Sequence, residues 1–348
     1  MQILTIGINH NTAPIEIREK FYLNTLQQDL YLSDLQNNPA IAEAFVLSTC
    51  NRTEIYLHVI ESLIDPFSFV EKIATIKKST FDPAHRKYFY IHQEDNAVKH
   101  LLEVSAGLNS LVLGEKQILG QVKDAFERAQ TRGLFLRNFN LLSNTAIRTG
   151  KKARTETDIC RGGSSVSWAA IHKAEKELGT LENKSVLLIG AGKMSELALG
   201  QIRKKGVADL YLMNRTHKNA LDLAQQYGGE AVEFCDIKEI LAKVDLCICS
   251  ASAPHYILEK NTIQRIQRLR QNSQRLVFVD ISMPRNIEPQ VNDLENVSLF
   301  SIDDLQEVVN MNMLVREKAI HDVEEIILQK IQDYKSKLQK TALVSTKA

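Results

Sequence analysis

The segment KSVLLIGAGKMSELALGQIRKKG, residues 184–206, constrains the fold more than any other part of the chain. A short apolar run, a Gly-x-Gly turn and a helical stretch follow one another without a spacer. Gly190 permits the tight turn after the strand, and Gly192 lets backbone approach a pyrophosphate that the next helix N-terminus stabilises. The third small position of such a loop is Ser195 here. Further runs follow, ADLYLMN, AVEF, VDLCICSA, RLVFVDI and VSLFSI, with helical stretches among them. That alternation is the order of a doubly wound parallel sheet. A glycine turn in an α/β domain without a ligand is the plainer alternative.

The second strand ends in Asn214-Arg215-Thr216. An NAD site wants an acidic residue there for the ribose 2′-hydroxyl. Arg215 instead offers a guanidinium for a 2′-phosphate, with Asn214 and Thr216 as neutral hydrogen-bonding partners. NADPH is the expected cofactor.

Residues 1 to about 105 have a different grain. ILTIGINH, AFVLSTC, TEIYLHVI and KYFYIH read as strands, with helical stretches at 14–36, 66–77 and 95–106, which predicts a small α+β unit. Two helices follow, one from Glu115 to about Gly133 and one through RNFNLLSNTAIRTGKKAR. TETDICRGGSS reads as a linker, and SVSWAAIHKAEKEL as the helix that leads into the Gly-x-Gly strand. After Asp303 an apolar stripe (Leu305, Val309, Ile320, Val323, Ile327, Ile331, Tyr334, Leu338) predicts a helical rod of about 50 Å at 1.5 Å per residue. Such a rod needs something to cover its stripe. The expected architecture is thus α/β and multidomain. An N-terminal α+β catalytic domain spans 1–155, a Rossmann-like domain 156–303 and a long C-terminal spine helix 304–348.

A formal net charge of +1 gives no global attraction to nucleic acid or membrane, so a polyanionic partner must meet a local patch. Nine basic residues against four acidic ones between 123 and 161 offer one: Lys123, Arg128, Arg132, Arg137, Arg148, Lys151, Lys152, Arg154 and Arg161. A solvated helical face is the bland reading of the same run. Five cysteines without C-x-x-C spacing give neither a disulfide framework nor a zinc site, and no metal is expected. The opening MQILTIGINH lacks the marks of a signal peptide and no long apolar run occurs, which predicts a cytoplasmic protein.

One cysteine stands apart. Cys247 and Cys249 alternate within a buried strand, and Cys160 and Cys235 also read as inert. Cys50 instead closes an apolar run and is followed by Asn51-Arg52-Thr53-Glu54, so a short turn can present it to a cleft. Arg52 is expected to favour the thiolate and to hold a substrate carboxylate. His100 lies on a helical segment among apolar neighbours, where a structural histidine is the commoner case. A thiol and a hydride donor fit together if an activated acyl group becomes a thioester, which hydride reduces to an aldehyde. No G-x-x-x-x-G-K-[ST] loop is present to activate the acyl group with ATP.

STCNRTEIY, GLNSLVLGEKQILGQVKDAF, GKKARTETDI, GAGKMSELA, NRT, DISMPRNIEPQV and SIDDLQEVVN, in this order, resemble the glutamyl-tRNA reductase family from about residue 3 to about residue 330. The resemblance implies NADPH-dependent reduction of glutamyl-tRNA(Glu) to glutamate-1-semialdehyde with release of tRNA, the first step of tetrapyrrole synthesis by the five-carbon route. It makes Cys50 the nucleophile and His100 the family's histidine near it. Thr49, Asn51 and Arg52 fall on the substrate-binding stretch, Arg52 holding the glutamyl α-carboxylate. Ser110, Glu115, Lys116, Gln117 and Gln121 fall on a second one. Gly190, Ala191, Gly192, Lys193, Met194 and Ser195 form the cofactor loop. An aminomutase that consumes the aldehyde is an implied partner. Where the family has Ser-Gly-Leu-Asp-Ser, this chain reads Ala106-Gly107-Leu108-Asn109-Ser110; Lys116 replaces a proline and Asn286 an aspartate. The family's homodimer uses a helical domain beyond the long helix, of which little is seen here, so a monomer or weak dimer is expected. Two rival readings remain: an NADP-linked dehydrogenase of the shikimate type, which needs no thiol, and a non-catalytic NADP-binding regulator that uses Cys50 as a redox sensor.

Overall fold

A computed structural model describes residues 2–60, 64–160, 165–270, 274–306 and 313–345. The chain divides into two compact units, Met1–Ser164 with Asn312–Ala348, and Ser165–Met311.

The first unit is built on a four-stranded antiparallel sheet in the order β2-β3-β1-β4, from β1 (Gln2–Asn9), β2 (Ile41–Ser48), β3 (Arg52–Val59) and β4 (Tyr90–Gln93). The expected helical stretch at 14–36 is two helices, α1 (Ile15–Phe21) and α2 (Thr25–Gln36). The break is specified locally. Asn24 caps α2 by accepting from the Gln27 backbone N–H, and the Gln27 side chain accepts from Asn24 N in return. The Leu23 N–H, freed from any helix, donates to Ser48 Oγ at the end of β2. α3 (Phe67–Ile76), α4 (Asp95–Ala106), α5 (Gln117–Gln130) and α6 (Arg137–Glu156) complete the layer over the sheet. Phe45 and Tyr56 stack at 4.3 Å, and Phe126, Phe135 and Phe139 close round Phe45.

The second unit carries a six-stranded, all-parallel sheet in the order β10-β9-β8-β5-β6-β7. Its strands are β5 (Ser185–Ile189), β6 (Asp209–Met213), β7 (Glu230–Val232), β8 (Leu246–Cys249), β9 (Leu276–Asp280) and β10 (Val297–Ser301). The connecting helices are α8 (Lys193–Ile202), α9 (His217–Tyr227), α10 (Ile237–Lys243) and α11 (Lys260–Leu269), with α7 (Val166–Leu178) leading in. The order reverses on either side of β5, which opens a crevice at the carboxyl ends of β5 and β8. Cys247 and Cys249 lie wholly buried in β8.

The rod, α12 (Met313–Ser345), covers its stripe within the first unit: Ala319, Val323, Ile327 and Tyr334 join that unit's core. Leu305 is not on it; a short 3-10 turn, Asp303–Leu305, holds that residue in the second unit, and Val309 lies outside the described residues. Among the described residues no helix is long and apolar enough to cross a membrane.

Candidate active site

Cys50 sits at the tip of a hairpin. Ser48 pairs with Thr53, and Thr49 N donates to Arg52 O at 2.8 Å, leaving Cys50 and Asn51 as the two turn residues between β2 and β3. The turn is pinned from outside. Arg18 of α1, itself buried, donates from Nη1 to Cys50 O at 2.9 Å and from Nε to Ala13 O. The His10 N–H donates to Asn51 O at 3.0 Å. The thiol is half-buried and free.

Behind the turn lies a closed charge network. Arg52, only 2% exposed, donates from Nη1 to Glu54 Oε1 at 2.7 Å and from Nη2 to the Asn109 carbonyl. Glu54, with no exposure, also accepts from Tyr90 Oη (2.5 Å) and Tyr56 Oη (2.7 Å) and meets His100 Nε2 at 2.9 Å. Burial alone would raise the Glu54 carboxyl, but Arg52 and then His100 hold it well below the usual carboxylate range. An ionised Glu54 offers only acceptors, so the Nε2 of His100 carries a proton. His100 therefore joins the Arg52–Glu54 network, and no hydrogen bond to Cys50 is found for it among the described residues.

Arg52 acts on the thiol in the expected direction, favouring the thiolate, but burial pushes the Cys50 thiol up to about 12, with Glu115 adding to the rise. Arg18 and Arg52 act in the opposite sense but do not prevail. Burial is the largest of these effects and outweighs both guanidinium groups. At neutral pH Cys50 is therefore a thiol.

The second segment lies beside the hairpin. Gly107 ends α4 in the left-handed conformation, and Gly114 has φ +72° with Ile159 O only 2.0 Å from where a Cβ would stand. Only glycine fits there. The folded loop buries Glu115 and the Ser110 hydroxyl oxygen. Ser110 Oγ, Gln117 Nε2, Asn51 Oδ1 and His10 Nδ1 are buried polar atoms without a hydrogen-bond partner among the described residues. Such orphans are rare unless a ligand completes them. Lys116 is exposed and Gln121 half-exposed, and neither shows a side-chain hydrogen bond among the described residues.

Three residues near the thiol are not singled out by the sequence analysis. Arg18 reads as an ordinary helical arginine. His10 has its pKa lowered to about 3 by burial, with Arg52 and Arg18 adding, so it is neutral. Tyr22 ends α1 between the Arg18 and Leu23 anchors; burial, then Cys50, raises its phenol. The motif N-H-x-T-A-P-x-x-x-R, residues 9–18, was the available clue to the first two.

In the second unit a crevice of about 420 Å³ is lined by Gly190–Gly192, Asn214–Thr216 and the loop after β8. Gly190 has φ +114°, and a Cβ there would stand 2.8 Å from Ser250 C, so the turn admits no side chain. A Cβ at Gly192 would meet nothing within 4 Å, the open space a pyrophosphate requires. Ser195 fills the third small position by pairing its hydroxyl with Ser250 Oγ at 2.5 Å. Met194 O accepts from Ser167 Oγ, while Lys193 and Arg215 are exposed. Asn286 uses its amide to hold Ala253 O and His255 O, donations an aspartate could not make. These residues fit a phosphorylated dinucleotide. Among the described residues no cluster of three or more metal-ligating side chains is found.

The basic run does not form one patch. Arg128 and Arg132 both pair with Asp29 (2.8 and 3.0 Å). Arg154 turns inward onto the carbonyls of Ser105, Gly150 and Glu115, and Lys152 pairs with Glu156. Arg161 lies outside the described residues. Lys123, Arg148 and Lys151 are exposed cations without an ion pair among the described residues.

Comparison with known proteins places both units. The N-terminal domain of glutamyl-tRNAGlu reductase matches residues 6–157, and the shikimate/quinate 5-dehydrogenase domain matches 172–308. The glutamyl-tRNA reductase of Solibacter usitatus is 40% identical over 331 residues, covering 95% of this chain and 78% of that one. That of Thermodesulfovibrio yellowstonii is 38% identical over 346 residues, covering 96% and 79%. Among solved structures, glutamyl-tRNA reductase from Methanopyrus kandleri superimposes with a TM-score of 0.52 at 31% identity, covering 97% of this chain and 81% of that one.

Proposed function

This chain belongs to the glutamyl-tRNA reductase family, and from that premise we propose that it works through a thioester on Cys50. The overall reaction is the NADPH-dependent reduction of glutamyl-tRNA to glutamate-1-semialdehyde and free tRNA, the first step of tetrapyrrole biosynthesis. The observation that carries the Cys50 route is its place at the tip of a pinned two-residue turn, with two buried polar atoms at that turn, Asn51 Oδ1 and His10 Nδ1, left without a partner among the described residues.

Sulfur attacks the ester carbon and the tRNA 3′-oxygen leaves, giving an acyl-enzyme. The hairpin fixes the attacking atom, because Arg18 and the Thr49–Arg52 bond hold the backbone on both sides. Thr49, Asn51, Ser110, Gln117 and Gln121 orient the glutamyl group. Arg52 holds its free carboxylate with N–H groups beyond the two already used. That carboxylate is the γ one, since the ester consumes the α-carboxyl; the earlier assignment to the α-carboxylate is corrected on this ground. Glu54, with His100, keeps Arg52 in place. In the second unit, Gly190 to Ser195 take the pyrophosphate and Asn214, Arg215 and Thr216 the 2′-phosphate. NADPH, when bound, supplies the hydride that releases the aldehyde from sulfur.

Lys123, Arg148 and Lys151 are the cations proposed to meet tRNA phosphates. A tRNA-dependent reaction supports the expected cytoplasmic location. Hand-over of the aldehyde to an aminomutase is part of the same proposal; a tight dimer in sedimentation at sub-micromolar concentration would overturn the expectation of a monomer or weak dimer. The test of function is NADPH oxidation on adding glutamyl-tRNA, with the aldehyde trapped in equal amount. Oxidation that continues in Cys50→Ser at the full rate would instead favour a shikimate-type dehydrogenase.

A further inference from the structure

On the β8 side of the cofactor crevice the wall is a stretch without helix or strand, residues 251–257. Ala253, Pro254, His255 and Ile257 of that stretch line the same space as Gly190, Gly192 and Arg215. A segment with no ladder of its own presents a fixed surface only if its backbone groups are held from outside. Asn286, with no exposure, supplies such a hold from the loop after β9. Its Nδ2 donates to Ala253 O at 2.9 Å and to His255 O at 3.2 Å. Its backbone carbonyl accepts from Ile257 N at 2.6 Å and from Leu258 N at 3.1 Å.

Asn286 is anchored in turn. Asp280, the last residue of β9, accepts from Asn286 N at 2.7 Å, Ile287 N at 2.8 Å and Ser282 N at 3.0 Å. The hold thus runs from the sheet through Asp280 and Asn286 to the crevice wall. Chemistry fixes which way the amide faces. Nδ2 meets three carbonyl oxygens, Pro284 O at 3.3 Å being the third, and an oxygen in its place would be repelled by all of them. Oδ1 is buried and has no partner among the described residues, a cost incurred by aiming the donor at the wall.

The sheet order tells which part of the cofactor the wall meets. The Gly-x-Gly turn follows β5, Arg215 follows β6, and the wall follows β8 on the other side of β5. A dinucleotide across such a switch point has its pyrophosphate at the turn and its two nucleoside halves on opposite sides. With the 2′-phosphate of the adenosine half at Arg215, the nicotinamide half falls along residues 251–257.

We propose that Asn286 is a positioning residue for the nicotinamide half of NADPH, acting through the wall it holds, while the adenosine half binds independently of it. The inference rests on the placing of the 2′-phosphate at Arg215 given above.

The test is calorimetric titration of the whole chain with NADPH and, separately, with adenosine 2′,5′-bisphosphate, which carries the adenosine half and no nicotinamide. Asn286→Ala removes the donor without burying a charge, and Asn286→Asp keeps the shape while setting an acceptor against the carbonyls. Each is expected to weaken NADPH binding roughly ten- to a hundredfold, the worth of two lost hydrogen bonds, and to change bisphosphate binding less than about twofold. Retained bisphosphate binding also reports that the domain is folded. Equal losses for the two ligands in Asn286→Ala would mark a residue that merely supports the fold, and would overturn the inference. So would NADPH binding of undiminished strength in either variant. Bisphosphate binding that survives Arg215→Glu unweakened would instead overturn the placing of the 2′-phosphate on which the inference stands.

Discussion

Glu54→Gln is the perturbation that probes the interior of the first unit most sharply. Glutamine matches the size of the carboxylate, so packing round the site is kept. What changes is charge: Arg52 stays buried with no counter-ion, and His100, Tyr56 and Tyr90 face an amide where four donors had met two oxygens. Removing one partner of a buried pair costs about 3–5 kcal/mol. A domain of this size shifts by about 2–4 °C per kcal/mol, so the first unit should melt roughly 6–20 °C lower. Calorimetry on the whole chain reads this, with the second unit's transition, identified by its rise on adding NADPH, as internal control. The sign with pH follows from linkage. The folded carboxyl lies below its unfolded value of about 4.3, so its stabilisation is complete above that pH and fades as pH falls below it. The gap between the two proteins should be constant near neutrality and narrow in acid. A shift under about 2 °C at pH 7 would show that Arg52 does not depend on Glu54.

Arg215→Glu should weaken NADPH binding roughly ten- to a hundredfold, the worth of a charge-assisted hydrogen bond, and change NADH binding much less; fluorescence titration with both nucleotides decides it. Gly190→Ala forces a side chain into a left-handed turn against Ser250. The strain of about 1–3 kcal/mol should lower the second unit's melting temperature and remove its rise with NADPH. Reversing Arg148 and Lys151 together should weaken tRNA binding and flatten its log–log salt dependence by about 2, while leaving NADPH binding untouched. An unchanged slope would return both residues to an ordinary solvated surface.

The second unit was largely legible in the chain because its signals are local. A Gly-x-Gly turn joins strand to helix over a few residues, and Asn214-Arg215-Thr216 needs no distant partner to state its chemistry. The helices 66–77 and 95–106 were equally plain from their apolar spacing. The 14–36 stretch was not, because its break depends on Asn24 and Gln27 capping each other and on Ser48 accepting from Leu23. Charge was read least well. Arg52 does favour the Cys50 thiolate, but the burial that outweighs it comes from the folded surroundings of the turn and leaves no mark in the sequence. Arg154 looked like part of a basic surface because the three carbonyls it serves come from residues 105, 115 and 150. Which way a charged side chain turns is a property of packing, and spacing along the chain carries no record of it.

The most direct measurement is intact and peptide mass spectrometry of the protein mixed with glutamyl-tRNA in the absence of NADPH. A glutamyl group should appear on the peptide holding Cys50, decay when NADPH is added, and yield aldehyde as it does so. If no such adduct forms while aldehyde is still made on adding NADPH, or if Cys50→Ala makes aldehyde as fast as the unaltered chain, sulfur does not carry the acyl group.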